Sequence, residues 1–250
     1  MTISEPNYAL VLGAAGGLGS ALVAYFLNDP AITSVFAVSS QKQPSSLVVP
    51  DSQAHNLVWI TTEYDEQSMA AAMEQLKPFA GHFGRVCICH GLLHSDKVWP
   101  EKRLEDINAA ALHAIFESNT VVPALWLKLL FNLLKGKHPC VVATMSARVG
   151  SIGDNRMGGW HAYRASKAAL NMVLKNMAIE YARRAKNVKL IAFHPGTTDT
   201  RLSKPFQAAV PSGKLFTPAF VASQLAGIME NADVDGQLAY LDWNSQPIPW

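Results

Sequence analysis

A tyrosine and a lysine, Tyr163 and Lys167, stand four residues apart in a segment of good helix formers that meets no proline before Pro195. Residues four apart share one face of a helix, so both side chains point the same way. A phenol has a pKa of about 10 in water and exchanges protons poorly at neutral pH. A nearby ammonium favours the phenolate and lowers that pKa. The pair is therefore predicted to act as a general acid and base, although the same spacing also occurs on helices without a catalytic role.

The composition limits the classes of protein to consider. The chain has 250 residues and a net charge of +2, with acids and bases mixed, which disfavours a nucleic-acid-binding surface. Its three cysteines form no Cys-x-x-Cys pair and are predicted to be reduced, as in an intracellular protein. Residues 1–7 show no secretory signal, and the apolar run 124–134 is shorter than the roughly 20 residues that cross a bilayer. We expect a soluble, cytoplasmic protein with no nucleic-acid or membrane partner.

The N-terminal part predicts a phosphate-binding loop. The apolar run 8–12 is typical of a buried parallel strand, and a glycine-rich turn and a helical pattern at 20–27 follow it. In this arrangement the free N–H groups at the start of the helix bind a pyrophosphate. The alternative is a glycine-rich turn without a ligand. The loop residues predicted to contact a dinucleotide cofactor are Gly13, Ala15, Gly16, Gly17, Leu18 and Gly19.

The end of the second predicted strand, 35–38, bears on the choice of cofactor. An acidic residue there would bind the ribose 2′-hydroxyl of NAD. The sequence instead has Ser39, Ser40 and Lys42, whose hydroxyls and positive charge suit a 2′-phosphate. We therefore favour NADP(H), and leave NAD(H) open because Lys42 could simply lie in a solvated loop.

The remaining pattern alternates strands with helices. Strands are predicted at 57–61, 85–89, 140–144, 188–193 and 238–241, and helices at 65–77, 111–134, 163–184 and 218–229. This order predicts an α/β fold, a Rossmann-type doubly wound parallel sheet of about seven strands with helices on both faces. Ligands of such sheets bind at the carboxyl ends of the strands. We expect one NAD(P)-binding domain over residues 1–250, with the irregular residues 200–217 as a substrate lid.

Several features in chain order carry a resemblance to a known family. They are Gly13-x3-Gly17-x-Gly19, Asn119, Ser146, Tyr163-x3-Lys167 and Pro195-Gly196-x3-Thr200. Together they resemble the short-chain dehydrogenase/reductase family over nearly the whole chain. Residues 146–155, 194–200 and 248–250 are similar to a narrower branch that includes the bacterial C-factor signalling proteins and the sniffer-type carbonyl reductases.

The resemblance implies hydride transfer between a nicotinamide cofactor and a small carbonyl or alcohol substrate. Tyr163 would give a proton to the carbonyl oxygen, and Lys167 would lower the pKa of the tyrosine and hold the nicotinamide ribose. Ser146 would bind the substrate oxygen, with Ser151 as a competitor for that role, and Asn119 would support a water relay to Lys167. The other cofactor contacts it implies are Cys89, His90, Gly91, Pro195, Gly196, Thr198 and Thr200, besides Tyr163 and Lys167.

The sequence departs from the family pattern in three places. Ile88-Cys89-His90-Gly91 replaces an Asn-Asn-Ala-Gly segment, and Gly16 stands where NADP-using members often carry a basic residue. The gap from Ser146 to Tyr163 is also longer than usual, which is why Ser151 competes for the serine role. The altered segment 88–91 and the C-factor resemblance keep open an alternative function, a dinucleotide-binding signalling or sensor protein with little turnover, whereas Gly16 counts against NADP(H). Cys87, Cys89 and His90 could suggest a metal, but burial on one strand is the simpler interpretation, and no metal is predicted.

Substrate contacts are expected from loops near the tyrosine. The candidates are Arg148, His161, Leu202 and Phe206. The apolar and aromatic lid residues favour a hydrophobic or aromatic carbonyl compound, whereas Arg148 could grip an acidic group or lie in solvent. Family members often pair through the helices that would here contain Asn119 and Tyr163, so the resemblance implies a homodimer or homotetramer.

Overall fold

The structure is a computed structural model that describes residues 6–49 and 51–250, without the side chains of Asp51 and His55. Residues 1–5, on which the expected absence of a secretory signal partly depends, lie outside this description. The strands are β1 (Tyr8–Leu12), β2 (Ser34–Ser39), β3 (Leu57–Thr61), β4 (Phe83–Ile88), β5 (Cys140–Met145), β6 (Val188–His194), β7 (Thr197–Thr198), β8 (Leu215–Phe216) and β9 (Leu238–Asp242). The helices are α1 (Gly17–Leu27), α2 (Glu66–Leu76), α3 (Ala109–Phe116), α4 (Val122–Leu134), α5 (His161–Arg184) and α6 (Pro218–Glu230).

The large sheet is parallel throughout and has the order β3-β2-β1-β4-β5-β6-β9. The chain winds outward from β1 in one direction and from β4 in the other, so a crevice opens between these two strands at their carboxyl ends. Two apolar clusters fill the two faces of the sheet. Helices α2, α4 and α5 cover one face and α1 and α6 the other. The predicted doubly wound α/β fold is confirmed.

Polar caps fix the starts of several helices. The side chain of Asp65 accepts a hydrogen bond from the N–H of Ser68 at the start of α2, and Asn108 accepts one from Ala111 at the start of α3. Thr217 caps α6, where Pro218 occupies the first turn. Such residues satisfy amides that have no partner within the helix. Helices α1 and α5 lack a side-chain cap of this kind, and both begin at the predicted site.

The predicted helix at 111–134 is divided. A π-helical turn over Glu117–Val121 separates α3 from α4, and Pro123 lies in the first turn of α4. Proline has no N–H to donate to the carbonyl four residues earlier, which belongs to Asn119. Extra-residue turns of this type frequently mark functional positions. The single predicted helix is therefore interrupted, and the interruption begins before the proline, in the turn that contains Asn119.

Together, α3, the π turn and α4 form a segment that by length and composition alone could cross a membrane. Residues Ala109–Leu134 number 26, with a mean hydropathy of 1.2 in the most apolar window. Trp126, Leu127 and Leu130 are nevertheless fully buried in the apolar cluster against the sheet. The packing is that of a core helix in an α/β fold.

Candidate active site

The glycine-rich loop between β1 and α1 has the geometry of a phosphate cradle. Gly13 adopts a φ of 81°, which favours glycine. A Cβ at Gly19 would lie 2.3 Å from the carbonyl oxygen of Gly13, so only glycine permits this close turn. Gly16 and Gly17 are exposed at the tip, where the first N–H groups of α1 have no partner within the helix. The loop can therefore present amides to an anion.

The loops that carry the predicted site residues touch one another along one edge of the sheet. A Cβ placed on Gly13 would lie 3.2 Å from the carbonyl carbon of Cys89, and one on Gly17 would lie 2.7 Å from Cγ2 of Thr200. A Cβ on Gly91 would lie 3.9 Å from Nζ of Lys167. The glycine loop, the loop after β4, the segment after β6 and helix α5 are thus brought to one rim, as predicted from the strand ends.

The end of β2 carries a contact that the sequence did not predict. Ser39 is buried and Ser40 and Lys42 are exposed, and the N–H of Ser40 donates to the hydroxyl of Tyr64 at 3.1 Å. Tyr64 has a φ of 67°, unusual for a bulky residue. Its ring meets the ring of His90 edge-on, with the centroids 4.5 Å apart. Tyr64 therefore bridges the ends of β2 and β4.

Cys87 and His90 differ in their ability to bind a ligand. Cys87 lies in the apolar core, where burial raises the pKa of its thiol well above the usual range, so the thiolate needed to bind a metal is disfavoured. Burial, with a contribution from Lys167, lowers the pKa of His90 to about 3. Nε2 of His90 is buried without a hydrogen-bond partner. Over the described ranges 6–49 and 51–250, no group of three His, Cys, Asp or Glu side chains is arranged to hold a metal.

Tyr163 and Lys167 lie together inside the protein. Nζ of Lys167 is 5.9 Å from the centre of the Tyr163 ring and donates to the carbonyl oxygen of Met145 at 2.8 Å. Burial lowers the pKa of Lys167 to about 7. Burial also raises the pKa of Tyr163 to about 12, opposite to the direction expected from the neighbouring lysine. Desolvation of the phenolate is the cause of this rise, so the tyrosine holds its proton at neutral pH.

Asn119 fastens the loop after β4 to the helix of the tyrosine. Its side-chain amide donates to the carbonyl oxygen of Leu92 at 2.9 Å and to Oγ of Ser166 at 3.1 Å. Its Oδ1 accepts the N–H of Leu92 at 2.6 Å. Both amide protons are therefore used within the protein. The side chain therefore has a positioning role between the loop after β4 and α5, and it has no amide proton left for the predicted water relay.

Ser146 turns away from the tyrosine. Its hydroxyl donates to Oδ1 of Asn171 at 2.6 Å, in a buried polar cluster with the hydroxyl of Tyr240. The next residue, Ala147, is extended and packs in one cluster with Tyr163. Consecutive residues of an extended segment point to opposite sides, so only one of the two can face the tyrosine. The hydroxyl proton of Ser146 is already donated, which argues against the predicted role of this residue in orienting the substrate.

We expect Ser146→Ala to affect stability more than turnover. The change leaves the buried Oδ1 of Asn171 without its donor, which should lower the free energy of unfolding by about 1–3 kcal/mol. Turnover should fall by less than about 10-fold, below the range typical of lost acid–base catalysis. Urea unfolding and steady-state kinetics check this, with Ser223→Ala on the exposed surface of α6 as the control. Turnover that falls by about 100-fold or more would return Ser146 to the orienting role.

Arg148 is committed to the protein itself. Its guanidinium pairs with Oδ2 of Asp154 at 3.3 Å and with Oδ2 of Asp242 at 3.2 Å. The two carboxylates balance its charge and tie the loop after β5 to the end of β9. The structure therefore assigns Arg148 to loop anchoring, and the alternative of a grip on an acidic substrate is not supported.

His161 and Ser151 lie away from the phenol. Residues two apart on a helix are separated by about 200° around its axis, so His161 and Tyr163 face different sides of α5. Both His161 and Ser151 line a surface cavity of about 490 Å³ beside the 149–159 loop. The Ser151 hydroxyl accepts the N–H of Asp154 at 3.0 Å. The prediction of His161 as a substrate contact, and that of Ser151 as an orienting residue, fail on this placement.

The lid residues do reach the tyrosine. Leu202 and Phe206 pack with Tyr163 and Trp160, and Cδ1 of Leu202 lies 3.6 Å from where a Cβ of Gly91 would be. The Phe206 ring lies 5.1 Å from that of Trp160, between centroids. On its other side it meets His94 and Trp99 at 5.7 and 6.1 Å. An aromatic wall, defined by His94, Trp99, Trp160 and Phe206, thus stands beside the phenol.

Comparison with known proteins decides the family. The profile of the family described as short chain dehydrogenase matches residues 7–210. The chain belongs to the short-chain dehydrogenase family. Its seven-stranded parallel sheet and the placement of Tyr163 and Lys167 agree with this membership.

Two curated relatives and one solved structure illustrate the position of this short-chain dehydrogenase. It is 22% identical to the benzil reductase ((S)-benzoin forming) of Bacillus cereus, over 94% of the chain and 99% of the relative. It is 28% identical to the C-signal of Myxococcus xanthus, over 59% and 83%. The NADPH-bound carbonyl reductase from chicken fatty liver shares its fold with a TM-score of 0.83 and 22% identity, over 98% and 99%. The resemblance to the C-factor and carbonyl reductase branch is confirmed.

The residues present in this short-chain dehydrogenase fit a nicotinamide dinucleotide. The cradle formed by Gly13 and Gly19 leaves no space for a Cβ but exposes amides, as a pyrophosphate needs. Three buried side-chain atoms have no hydrogen-bond partner among the described residues. They lie at the carboxyl ends of the central strands β4, β5 and β6, or just after them. They are Nε2 of His90, Oγ1 of Thr144 and Nδ1 of His194. Unpaired buried polar atoms are costly, so their grouping at the expected crevice is consistent with a polar ligand there.

Proposed function

We propose that this short-chain dehydrogenase reduces an aromatic carbonyl compound with NADPH. The observation that carries the proposal is the buried pair Tyr163 and Lys167, with Nζ 5.9 Å from the phenol ring and Gly91 beside it. The raised pKa of Tyr163 keeps its proton in place at neutral pH, which suits a proton donor in the reductive direction. An oxidoreductase of the family needs such a donor near the reacting carbon.

The protonation states of Tyr163 and Lys167 determine their proposed roles. When bound, the nicotinamide supplies the hydride. Tyr163 gives its proton to the substrate oxygen as negative charge develops there. Lys167, whose pKa is about 7, can carry a proton at neutral pH and stabilise the resulting phenolate. We keep Asn119 as a support for a water relay to Lys167, through its backbone, because both amide protons of its side chain are already donated.

The preference for NADPH rests on the end of β2. Ser40 and Lys42 are exposed there and no acidic residue stands between Ser39 and Gln43, so a 2′-phosphate meets hydroxyls and a positive charge. The similar carbonyl reductase from chicken binds NADPH. The hydroxyl of Tyr64 occupies the N–H of Ser40, and it can exchange this contact for one to the phosphate.

The substrate class rests on the aromatic wall and the lid. The rings of Trp160 and Phe206 lie next to Tyr163, and those of Trp99 and His94 continue the wall. Flat rings bind well between such side chains. Residues 200–217 would close over the substrate, with Leu202 and Phe206 as contacts. The similar benzil reductases act on a compound that carries two aromatic rings, which supports the same class here.

The assembly and location are proposed from the surface. Met172 and Ile179, two turns apart on α5, are exposed apolar residues, as is Val121 on the adjoining π turn. An apolar patch on these helices supports a homodimer or homotetramer, and sedimentation as a monomer at micromolar concentration would exclude both. We place the protein in the cytoplasm, which subcellular fractionation checks. The alternative of a sensor with little turnover is not favoured, because a pure sensor needs no buried acid–base pair.

The test of the proposed function is a fluorescence titration with NADPH and NADH, followed by turnover of an aldehyde and ketone panel. We expect tighter binding of NADPH, and faster reduction of two-ring aromatic ketones than of aliphatic ones. Tight cofactor binding with no turnover of any member of the panel would support the sensor instead. Binding of neither cofactor would show that the His90 segment does not form a dinucleotide site.

A single substitution tests the phosphate contact. Lys42→Ala should weaken the binding of NADPH by about 10-fold, because one ionic contact to a phosphate is lost, and should leave the binding of NADH unchanged. Lys186→Ala, another exposed lysine far along the chain, is the matched control. Equal effects of Lys42→Ala on the two cofactors would contradict a 2′-phosphate site at this strand end.

A further inference from the structure

The turn that leads into α5 is strained. Gly158, Gly159 and Trp160 have φ values of 63°, 64° and 51°, so three consecutive residues lie in the left-handed region. Glycine adopts this conformation readily, but a bulky residue such as tryptophan does so at a cost. Strained residues persist where the surrounding structure imposes them, and they cluster at functional sites. Contacts with other residues must therefore hold Trp160 in this conformation.

Glu101 is the residue that holds this turn. Its backbone carbonyl accepts the N–H of Trp160 at 2.6 Å, and its carboxylate accepts the N–H of Ala162 at 3.2 and 3.4 Å. Glu101 is only 3% exposed. In the part of the chain that the structure describes, the carboxyl group of Glu101 makes no ion pair, and its hydrogen-bond partner is the N–H of Ala162 in the first turn of α5. A carboxylate is favourable at that end of a helix.

A second contact fixes the other end of the turn. Nε of Arg164 donates to the carbonyl oxygen of Gly159 at 3.0 Å. The turn is thus attached to α5 from one side and to Glu101, which lies 61 residues earlier in the chain, from the other. Its backbone has little freedom to relax, which explains how Trp160 stays in the left-handed region.

The consequence of this clamp is the position of two rings. The centroid of Trp160 lies 6.2 Å from that of Tyr163, with the rings nearly perpendicular at 80°. The same indole meets Phe206 of the lid. Ala162, whose amide the carboxylate binds, directly precedes Tyr163. A shift of this turn would therefore move the phenol and the aromatic wall together.

We propose that Glu101 is a positioning residue that sets Tyr163 for proton transfer and holds Trp160 as the surface against which an aromatic ring of the substrate lies. This rests on the proposed carbonyl reductase function. Glu101 acts through the amides of Trp160 and Ala162 and touches neither substrate nor cofactor. The selected substrate is a ketone with an aromatic ring next to the reacting carbon, in preference to an aliphatic ketone of the same oxidation level.

Three substitutions separate geometry from charge. Glu101→Ala removes the side-chain acceptor of the Ala162 N–H and leaves the backbone acceptor of the Trp160 N–H in place. Glu101→Gln keeps a side-chain acceptor oxygen without the charge, and Glu105→Ala removes an exposed carboxylate from the same segment as the control. Amide hydrogen exchange of the intact protein measures how firmly Glu101 holds this turn, and it needs no substrate. We expect exchange of the Ala162 amide to become at least about 10-fold faster in Glu101→Ala, and to stay near the native rate in the Gln and control variants. If Glu101→Ala does not fold, Glu101→Asp shortens the carboxylate and takes its place.

Kinetics with benzil and butanedione read the effect on the site. In Glu101→Ala the kcat should fall about 10-fold for both diketones, because the phenol is misplaced, whereas KM should rise for benzil alone. Glu101→Gln should restore both parameters. Unchanged exchange at Ala162 in Glu101→Ala, or a KM that rises equally for the two diketones, would overturn the proposal. If the native protein reduces no carbonyl, the proposed function fails, and the exchange pattern alone then decides whether Glu101 holds the turn.

Discussion

Replacement of Tyr163 by phenylalanine should lower turnover by at least about 100-fold while NADPH binds as in the native protein. The change removes one hydroxyl from a buried ring and keeps the packing with Ala147 and Leu93. No other described side chain in that cluster carries an acidic proton near the ring, since its members are apolar apart from the indole N–H of Trp160. General acid catalysis by a positioned side chain contributes roughly 100- to 10,000-fold, so the expected loss is large.

The measurement is steady-state reduction of the best carbonyl substrate, together with the fluorescence titration of NADPH. Tyr25→Phe removes the same hydroxyl from an exposed tyrosine of α1 and should leave both quantities unchanged. Turnover of Tyr163→Phe within a few-fold of the native value would refute the assignment of the proton donor. Lost turnover with lost NADPH binding would instead indicate a distorted cofactor site.

Replacement of Lys167 by methionine should abolish the steep pH dependence of stability that this lysine imposes. Burial lowers the pKa of Lys167 from 10.5 to about 7. Between these values the unfolded chain holds the proton and the folded chain does not, so unfolding takes up a proton. The free energy of unfolding then rises with pH from about 7 to 10.5, by up to about 1.4 kcal/mol per pH unit. Below pH 7 the destabilisation is fully present, and above 10.5 it is gone.

Methionine has a similar length and no charge, so Lys167→Met should be more stable than the native protein at pH 6 and should lack this slope, while turnover is lost. Denaturant unfolding between pH 6 and pH 10 measures the difference between the two proteins. Lys175→Met, on the exposed side of the same helix, should keep the native slope. Parallel pH profiles for Lys167→Met and the native protein would show that the lysine is not buried as described.

Local sequence patterns predict most of the fold, because each strand of a parallel sheet covered on both faces is a continuous apolar run in the sequence. Strands such as β1 and β5 are continuous apolar runs, since helices cover both of their faces. The glycine loop is equally local, because the clash that excludes a Cβ at Gly19 comes from Gly13, six positions earlier. The sequence predicts strand boundaries less well. The strand predicted at 85–89 is β4, which begins at Phe83 and ends at Ile88.

The direction of a site side chain is predictable from the sequence where spacing along one element determines it. Tyr163 and Lys167 share a helix face, so their proximity follows from the sequence. The direction of the Ser146 side chain depends on the face of the sheet towards which the residues at the end of β5 point. A shift of the strand by one residue would point Ser146 where Ala147 now points. The partners of Arg148 and Ala162 lie far away in the chain, at Asp242 and Glu101. Such contacts arise from the assembled fold and leave no local pattern.

A small second sheet closes the base of the proposed lid. Strand β7 at Thr197–Thr198 pairs with β8 at Leu215–Phe216, so the two ends of the intervening segment are held side by side. Whatever lies between them is a closed loop with a fixed base. The entropy of closing such a loop grows only slowly with length, by about 0.6 kcal/mol for each doubling. Residues 199–214 can therefore change in length and sequence at a small cost in loop entropy while the sheet beneath keeps its fold, and on the proposed function such changes would alter the range of substrates.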